Sequence, residues 1–383
     1  MHATRFTSLL VVMKAYRPTH VAIDLDALRH NYHVLRETMR PDWRMLAVVK
    51  ADAYGHGAVP VARTLEEAGA DLFGVAIVEE GLELRAAGIT RPILMLGGPW
   101  PGQEPVVIEH DLHVAVFEIE QLQRLEHAAR QAGKSCFCHL KIDSGMGRLG
   151  VRDEQLDEVL RFFLASEALQ LVGIMTHFAL ADCPDHPLTA QQQAHFKRAL
   201  AKVRDAGLIP EYIHSSNSAA TFSDVNGGCN LVRPGIALYG GQPFEDRTLP
   251  LEPVMALRTE IAHLKQLPTG SGVSYGHRFI AQRPTLIAAI PVGYADGYNR
   301  LLSNCGTALV RGQKVAVAGT VCMDWTLLDV TDVANVQCGD RVTLLGCDGD
   351  ECVLAEQWAE KVGTISYEVF CQISKRVPRH YQP

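Results

Sequence analysis

Lys50 closes the apolar run Met45-Leu-Ala-Val-Val-Lys50 and precedes the loop Ala-Asp-Ala-Tyr54-Gly-His-Gly57. Buried parallel strands read as continuous apolar runs of this kind, and in an α/β barrel their C-terminal ends face the mouth where the chemistry sits. A primary amine offered to such a mouth can attack a carbonyl or move a proton. Taken alone, the same lysine reads more simply as a strand cap whose ammonium snorkels to solvent.

Other strand ends and loops decide between these readings. Arg148 lies in Lys141-Ile-Asp-Ser144-Gly-Met-Gly-Arg148-Leu-Gly150, directly after another apolar run. Its guanidinium is a planar fork for a carboxylate, and the three glycines let backbone approach a ligand. Thr176-His177-Phe178 closes a further run. His214-Ser-Ser-Asn217-Ser218 sets hydroxyls and an amide just before a short helix, which suits an anion and equally suits a plain N-cap. Arg233-Pro-Gly235-Ile236-Ala-Leu-Tyr239 adds an arginine and a glycine at the last run, where barrel phosphate sites often lie. Further on, Gly270-Ser-Gly-Val-Ser-Tyr275-Gly-His, Val292-Gly-Tyr294-Ala-Asp296, Val321-Cys322-Met323-Asp324-Trp325 and Thr-Ile-Ser366-Tyr367 bring aromatic and polar groups into loops. Such tyrosines fit a binding mouth or interface packing. A strand-end lysine, phosphate-suited hydroxyls and glycines, a carboxylate-binding arginine and a polar donor at Tyr275 together match a pyridoxal-phosphate site acting on an amino acid. No GxxxxGK[ST] occurs and no GxGxxG follows a strand, which excludes the common nucleotide loops.

The elements that must position these groups follow a strand–helix rhythm. After Val21–Leu25, apolar runs recur at 45–50, 72–77, 92–96, 112–117, 137–142, 171–176, 211–214 and 231–238. Amphipathic helices lie between them. Asp26 is the expected N-cap of one that carries Leu28, Tyr32, Leu35 and Met39 on one face. Leu156, Val159, Leu160, Phe163 and Leu164 mark another. The class is α/β: an N-terminal (β/α)8 barrel of the TIM type over 17–242. Nine runs compete for eight places, and the first is the surplus one, expected to pair with the C-terminal domain. Beyond the linker-like stretch 241–253, strand patterns at 254–267, 285–291, 307–311, 314–322, 326–330 and 341–345 make a mainly-β domain over 243–383. Arg311-Gly-Gln-Lys314 is its hairpin turn, and only 354–361 and 364–374 read as helical. Residues 1–16 form an extension, disordered or reflecting a misassigned start, with Met13 a plausible initiator.

At 383 residues the chain exceeds one core, and with 47% hydrophobic and 21% charged residues it has an ordinary globular composition. A net charge of −7 leaves no footprint for nucleic acid or anionic lipid. Ten cysteines without a scaffold rhythm or an export signal read as reduced thiols in a cytoplasmic protein. Cys347-Asp-Gly-Asp-Glu-Cys352 reads as a turn between strands rather than a metal loop, and no metal is expected.

With these motifs in their order, Val-Val-Lys50-Ala-Asp-Ala-Tyr-Gly-His-Gly, Gly-Met-Gly-Arg-Leu-Gly, Arg-Pro-Gly-Ile-Ala-Leu-Tyr-Gly, Val-Ser-Tyr-Gly and Val-Cys-Met-Asp, the chain resembles the alanine racemases from about residue 17 to 380. These are barrel-type, fold type III pyridoxal-phosphate enzymes of bacterial cell-wall metabolism. The resemblance implies interconversion of L- and D-alanine, supplying D-alanine for peptidoglycan or degrading it, by a homodimer that shares its sites. Lys50 would carry the cofactor and be the base on one substrate face, with Tyr275 of the partner subunit on the other, because a planar carbanion must be reprotonated from the opposite side. Arg148 would steer the substrate carboxylate, with Met323 adding a contact from the second subunit. Tyr54, Ser218, Gly235, Ile236 and Tyr367 would hold the phosphate, with Asn217 beside it and His177 next to the ring and Arg233. Arg233, with donors only, would hydrogen-bond an unprotonated pyridine nitrogen. Asp324 and Tyr294 would support the site, and Lys141 matches a position that can be carbamylated. Ser144 stands where Thr is common, and Ser366 where Pro or Asn is frequent. Alternatives are a racemase of broader range acting on Ser, Lys or Arg, and a non-enzymatic pyridoxal-phosphate carrier on the same barrel. A basic amino-acid decarboxylase would need an acidic partner in place of Arg233.

Overall fold

The computed structural model describes residues 16–383 except 224, 226 and 227; the N-terminal extension read from the sequence, Tyr16 apart, lies outside them. The described chain forms two compact units, one of residues 22–256, 354–373 and 381–383, the other of the described residues up to 21 with 257–353 and 374–380.

The larger unit contains the barrel. Its strands are Arg44–Val48 (β2), Leu72–Val75 (β3), Ile93–Met95 (β4), His113–Val116 (β5), Cys136–Lys141 (β6), Leu169–Met175 (β7), Tyr212–His214 (β8) and Leu231–Val232 (β9); His20–Asp24 is β1. All seven pairings along the order β8-β7-β6-β5-β4-β3-β2-β9 are parallel. Between the two ends, Asn230 donates its N–H to Ile213 O at 3.0 Å and Arg233 to Ser216 O at 2.8 Å, which nearly closes the circle. Short runs of Val, Ile and Leu suffice because both faces of such a strand are covered, and β3 and β5 are buried at every position. The surplus strand is the first, as the rhythm predicts: β1 joins the other sheet.

Helix boundaries depart from the pattern in instructive ways. Asp24, not Asp26, caps Leu25–Thr38 by accepting from Ala27 N at 2.9 Å. On Asp153–Ala165, Leu156, Val159, Leu160 and Phe163 are buried, but Leu164 is exposed on the flank of that stripe. The run 231–238 holds only two residues of strand; Pro234 cannot donate to a ladder, and Ile236–Tyr239 winds into a 3-10 turn. The C-terminal helices Ala355–Val362 and Ser366–Gln372 pack within the barrel unit and bring Tyr367 to it.

The smaller unit is mainly β. Its strands are Met255–Glu260 (β10), His263–Leu267 (β11), Gly272–Val273 (β12), Phe279–Ile280 (β13), Thr285–Ile290 (β14), Thr307–Val310 (β15), Gln313–Val317 (β16), Thr326–Asp329 (β17), Arg341–Asp348 (β18), Glu351–Val353 (β19) and Arg379–Gln382 (β20), with boundaries between the units falling inside β1, β10 and β20. The main path is β11-β14-β17-β16-β15-β18-β10-β1-β20. Arg311-Gly312 makes the expected hairpin turn, with Val310 paired to Gln313. The reduced-thiol expectation fails at one place. Cys347 and Cys352 face each other across the β18–β19 hairpin and form a disulfide; the sequence spacing hid a direct cross-strand pair. Among the described residues no helix is long and apolar enough to cross a membrane.

Candidate active site

A cavity of about 500 Å³ opens at the C-terminal ends of the barrel strands. Lys50, Tyr54, Lys141, Arg148, His177, Asn217, Ser218, Arg233, Gly235, Ile236 and Tyr367 all line it. Eleven residues singled out in the sequence, drawn from separate loops and strands, thus meet at one mouth.

Lys50 is not itself on a strand. It stands two residues past β2 and opens a turn in which Ala51, Asp52, Ala53 and Tyr54 all have φ between 52° and 54°, a left-handed coil of non-glycine residues. Such a conformation costs about 1–2 kcal/mol per residue, so the surroundings must impose it. Glu80 accepts from Ala51 N at 2.6 Å, and Asp52 accepts from Ala58 N at 2.8 Å. Gly55 then takes φ 79° and Gly57 φ 97° to release the chain into the next helix. The turn sets the Tyr54 ring 4.9 Å from that of Tyr239 and 5.9 Å from that of Tyr367.

The adjoining wall follows β8 and β9, the latter paired with β2. Asn217 Oδ1 accepts from Ala220 N at 3.0 Å, which fixes the start of Ser218–Thr221. Ser218 Oγ accepts from Gly235 N at 2.9 Å and from Ala237 N at 3.3 Å. Gly235 is required: a Cβ there would lie 2.4 Å from Tyr54 Oη. Glycines in the Arg148 loop hold the loop together. Gly145 and Gly147 donate to Asp143 Oδ1 at 3.1 and 3.0 Å, and a Cβ on Gly150 would strike Asp143 N at 2.3 Å. They fold the loop on itself so that Arg148 projects.

Electrostatically the cavity is cationic, for Lys50, Lys141, Arg148 and Arg233 line it with no Asp or Glu beside them among the described residues. Burial, then the charge of Arg148, lowers the Lys50 amine from its ordinary value, and Glu80 pulls the other way. The same two causes bring Lys141 to about 8. Burial and the Arg233 charge take His177 to about 3, so its ring is neutral. Arg233, pulled by burial to about 10, still carries its charge at pH 7. Its NH2 donates to Thr176 O at 2.8 Å and meets His177 Nδ1 at 3.3 Å; its NH1 meets His214 Nδ1 at 3.2 Å.

Tyr275, Tyr294, Met323 and Asp324 belong to the sheet unit and do not line this cavity. Tyr275 is 73% exposed and Met323 53%, and Tyr275 borders a smaller hollow with Ser274, Cys322, Trp325 and Leu327. Asp324 pairs with Arg376 at 2.8 Å. Sequence reasoning passed over Cys371, which also lines the cavity, and the buried histidines behind Arg233. His139 carried a signal: it lies two residues before Lys141 on the same strand, hence on the same face.

The chain matches the family model described as alanine racemase, N-terminal domain, over residues 23–243, and that described as alanine racemase, C-terminal domain, over 254–381. It is 49% identical to the alanine racemase of Geobacter sulfurreducens, covering 95% of this chain and 97% of that one. The crystal structure of alanine racemase from the D-cycloserine-producing Streptomyces lavendulae superposes with a TM-score of 0.92 at 38% identity, covering 97% of this chain and 98% of that one. That from Bacillus anthracis, solved with bound L-Ala-P, gives 0.90 at 38% identity, covering 97% and 96%.

Proposed function

This chain belongs to the alanine racemase family, and from that membership we propose that its cavity holds pyridoxal phosphate and serves the interconversion of L- and D-alanine through Lys50 and Tyr275. The supporting observation is a cavity lined, among the described residues, by four cationic side chains and no carboxylate, with a lysine amine of lowered proton affinity among them. A ligand carrying both a phosphate and an amino-acid carboxylate satisfies that imbalance. The donor set fits such a ligand: the Tyr54 hydroxyl, the Ser218 hydroxyl and the Gly235–Ile236 backbone suit a phosphate, and Tyr54 packs so closely on Gly235 that no side chain fits between them.

When bound, pyridoxal phosphate supplies an electron sink that acidifies the amino acid's Cα–H. Lys50 would hold the cofactor through Nζ and would move a proton at one face of Cα. Its depressed proton affinity keeps more of the amine neutral near pH 7 than for a solvated lysine. Arg148 takes the substrate carboxylate through its planar fork. Arg233 offers N–H groups and no acceptor, so it would hydrogen-bond the ring nitrogen without donating a proton to it, which would temper the sink and favour return of the proton to Cα. Tyr275 of the partner subunit serves the other face, which makes a homodimer the working unit. A cytoplasmic location belongs to the same reading.

Purified protein incubated with L-Ala, L-Ser, L-Lys and L-Arg should yield D-alanine fastest. Comparable D-serine, D-lysine or D-arginine would favour the broader racemase. No D-isomer from protein carrying pyridoxal phosphate would overturn the reading in favour of a carrier. A fully active monomer in sedimentation would refute the shared site.

A further inference from the structure

Behind Arg233 three imidazoles cross the barrel interior. His113 opens β5, His139 lies on β6 and His214 ends β8. His113 Nδ1 is 3.1 Å from His139 Nε2, and His139 Nδ1 is 2.9 Å from His214 Nε2. His214 Nδ1 faces Arg233 NH1 at 3.2 Å. The β7 strand stands between β6 and β8, and the rings meet across it because residue 173 is glycine. A Cβ at Gly173 would lie 2.1 Å from His139 Nδ1, so the fold reserves this space for the ring.

The order of donors along this chain follows from valence alone. Guanidinium has no acceptor, so His214 Nδ1 must accept from it. A neutral imidazole has one donor and one acceptor, so His214 Nε2–H donates to His139 Nδ1, and His139 Nε2–H donates to His113 Nδ1. If His214 or His139 were charged, both its nitrogens would donate and two N–H groups would collide; a charged His113 would collide with His139. Burial keeps the three neutral: His113 is lowered to about 4 and the other two lie well below the ordinary value. His139 and His214 are fully buried, so each internal donor needs its acceptor. His113, at 8% exposure, brings the chain to the N-terminal end of the strands.

We propose that His139 and His113 are positioning residues for Arg233: their fixed order of ring nitrogens holds His214 as an acceptor at Nδ1 and so fixes the direction of the guanidinium. Among the described residues the other Arg233 acceptors, Thr176 O at 2.8 Å, His177 Nδ1 at 3.3 Å and Ser215 O at 3.3 Å, all fall on NH2. NH1 therefore depends on His214. Without His139, the His214 Nε2–H is a buried donor with nothing to bond, and the ring turns or changes tautomer to relieve it. NH1 then loses its anchor.

The consequence for chemistry rests on the pyridoxal-phosphate reading; the order itself does not. Nitrogen-15 NMR of cofactor-stripped protein labelled in histidine and arginine should show His113, His139 and His214 with bare Nδ1 and protonated Nε2. A protonated His214 Nδ1 in the wild type overturns the proposal whatever the cofactor. His139→Leu should disturb the His214 nitrogens and the Arg233 Nε–H signal, and in loaded enzyme should raise transamination relative to racemisation about tenfold, the equivalent of one stranded buried donor. His139→Gln, whose amide offers both an acceptor and a donor, should restore much of both. A folded His139→Leu with unchanged His214 and Arg233 signals, or with an unchanged ratio of the two reactions, overturns it. If His139→Leu does not fold, His113→Leu supplies the same two readouts at the outer link. A wild-type protein that binds no pyridoxal phosphate would sink the function proposed above, while the nitrogen spectra would still decide the order.

Discussion

Around the barrel mouth four cationic side chains stand without a carboxylate among the described lining residues, and burial holds Lys50, Lys141 and Arg233 below their ordinary proton affinities. The sheet unit treats a buried charge differently. Asp296 is fully buried there, yet Arg17 grips it with two N–H groups at 2.7 and 3.0 Å, and Gly293 N adds a third donor at 3.1 Å. One region has no counter-ion among its described lining residues, and the other pairs its buried charge within itself. Buried charge is tolerated in folded proteins when paired; an unpaired cluster is kept where an external group completes it. The sheet unit contributes exposed aromatic and thioether groups on loops instead, with Tyr275, Met323, Trp325 and Tyr294 all more than 40% exposed.

Deleting the amine should give the largest effect. Lys50→Ala is expected to abolish both the visible absorbance of bound cofactor and D-alanine formation. Residual racemisation at a wild-type rate would remove the barrel's claim to the chemistry. Tyr275→Phe tests the sheet unit's claim. Loss of one proton-transfer group should lower the racemisation rate by about a hundred- to ten-thousandfold while leaving the cofactor absorbance in place. An undiminished rate would reduce the exposed tyrosine to interface packing and leave the barrel as the sole source of catalytic groups.

Arg233→Glu reverses a charge within the barrel cluster. The expected outcome is a rise in transamination relative to racemisation, measured as pyruvate against D-alanine, because a carboxylic acid can share a proton with the ring nitrogen and guanidinium does not. An unchanged ratio would sink the account of Arg233. On the sheet side, Asp296→Ala should cost about 3 kcal/mol in denaturant unfolding, since it strands Arg17 in a partly buried site. A negligible cost would mean that the pairing has no structural weight and that the contrast between the regions is only one of geometry.

Which of these features were legible in the sequence follows from how locally each is determined. The strand-end groups were legible, because an apolar run that leads into Lys50, His177 or the Arg148 loop encodes its own position in a barrel. The left-handed turn after Lys50 was not. Ala-Asp-Ala-Tyr has ordinary right-handed propensity, and its conformation is imposed by Glu80, 29 residues away from Ala51. The histidine chain was hidden for the same reason, since its links join residues 26 and 75 positions apart. Cys347–Cys352 was missed although it is local, because the hairpin register that makes the two positions direct partners depends on a turn whose type the spacing does not specify.

The mildest perturbation, a change of pH, sharpens the comparison across whole regions. His177 at about 3 and His113 at about 4, with His139 and His214 lower than the ordinary value, all lie in the barrel unit. Unfolded, each titrates near 6.5. Below that value the unfolded chain binds more protons than the folded one, so folding stability falls as pH falls, from about 6.5 down through the folded values of about 3 and 4. Lys141 has the same sign at the other end: between about 8 and its ordinary 10.5 the unfolded chain again binds more protons, and raising the pH relieves a penalty. Amide hydrogen exchange, corrected for intrinsic rates, should therefore show protection in β5 to β8 dropping more between pH 7 and pH 5 than protection in β14 to β17. His113→Asn should recover only the outermost fraction of that drop. Equal losses in the two regions would mean that acid acts on the molecule as a whole, and that the buried imidazoles do not set the barrel's sensitivity.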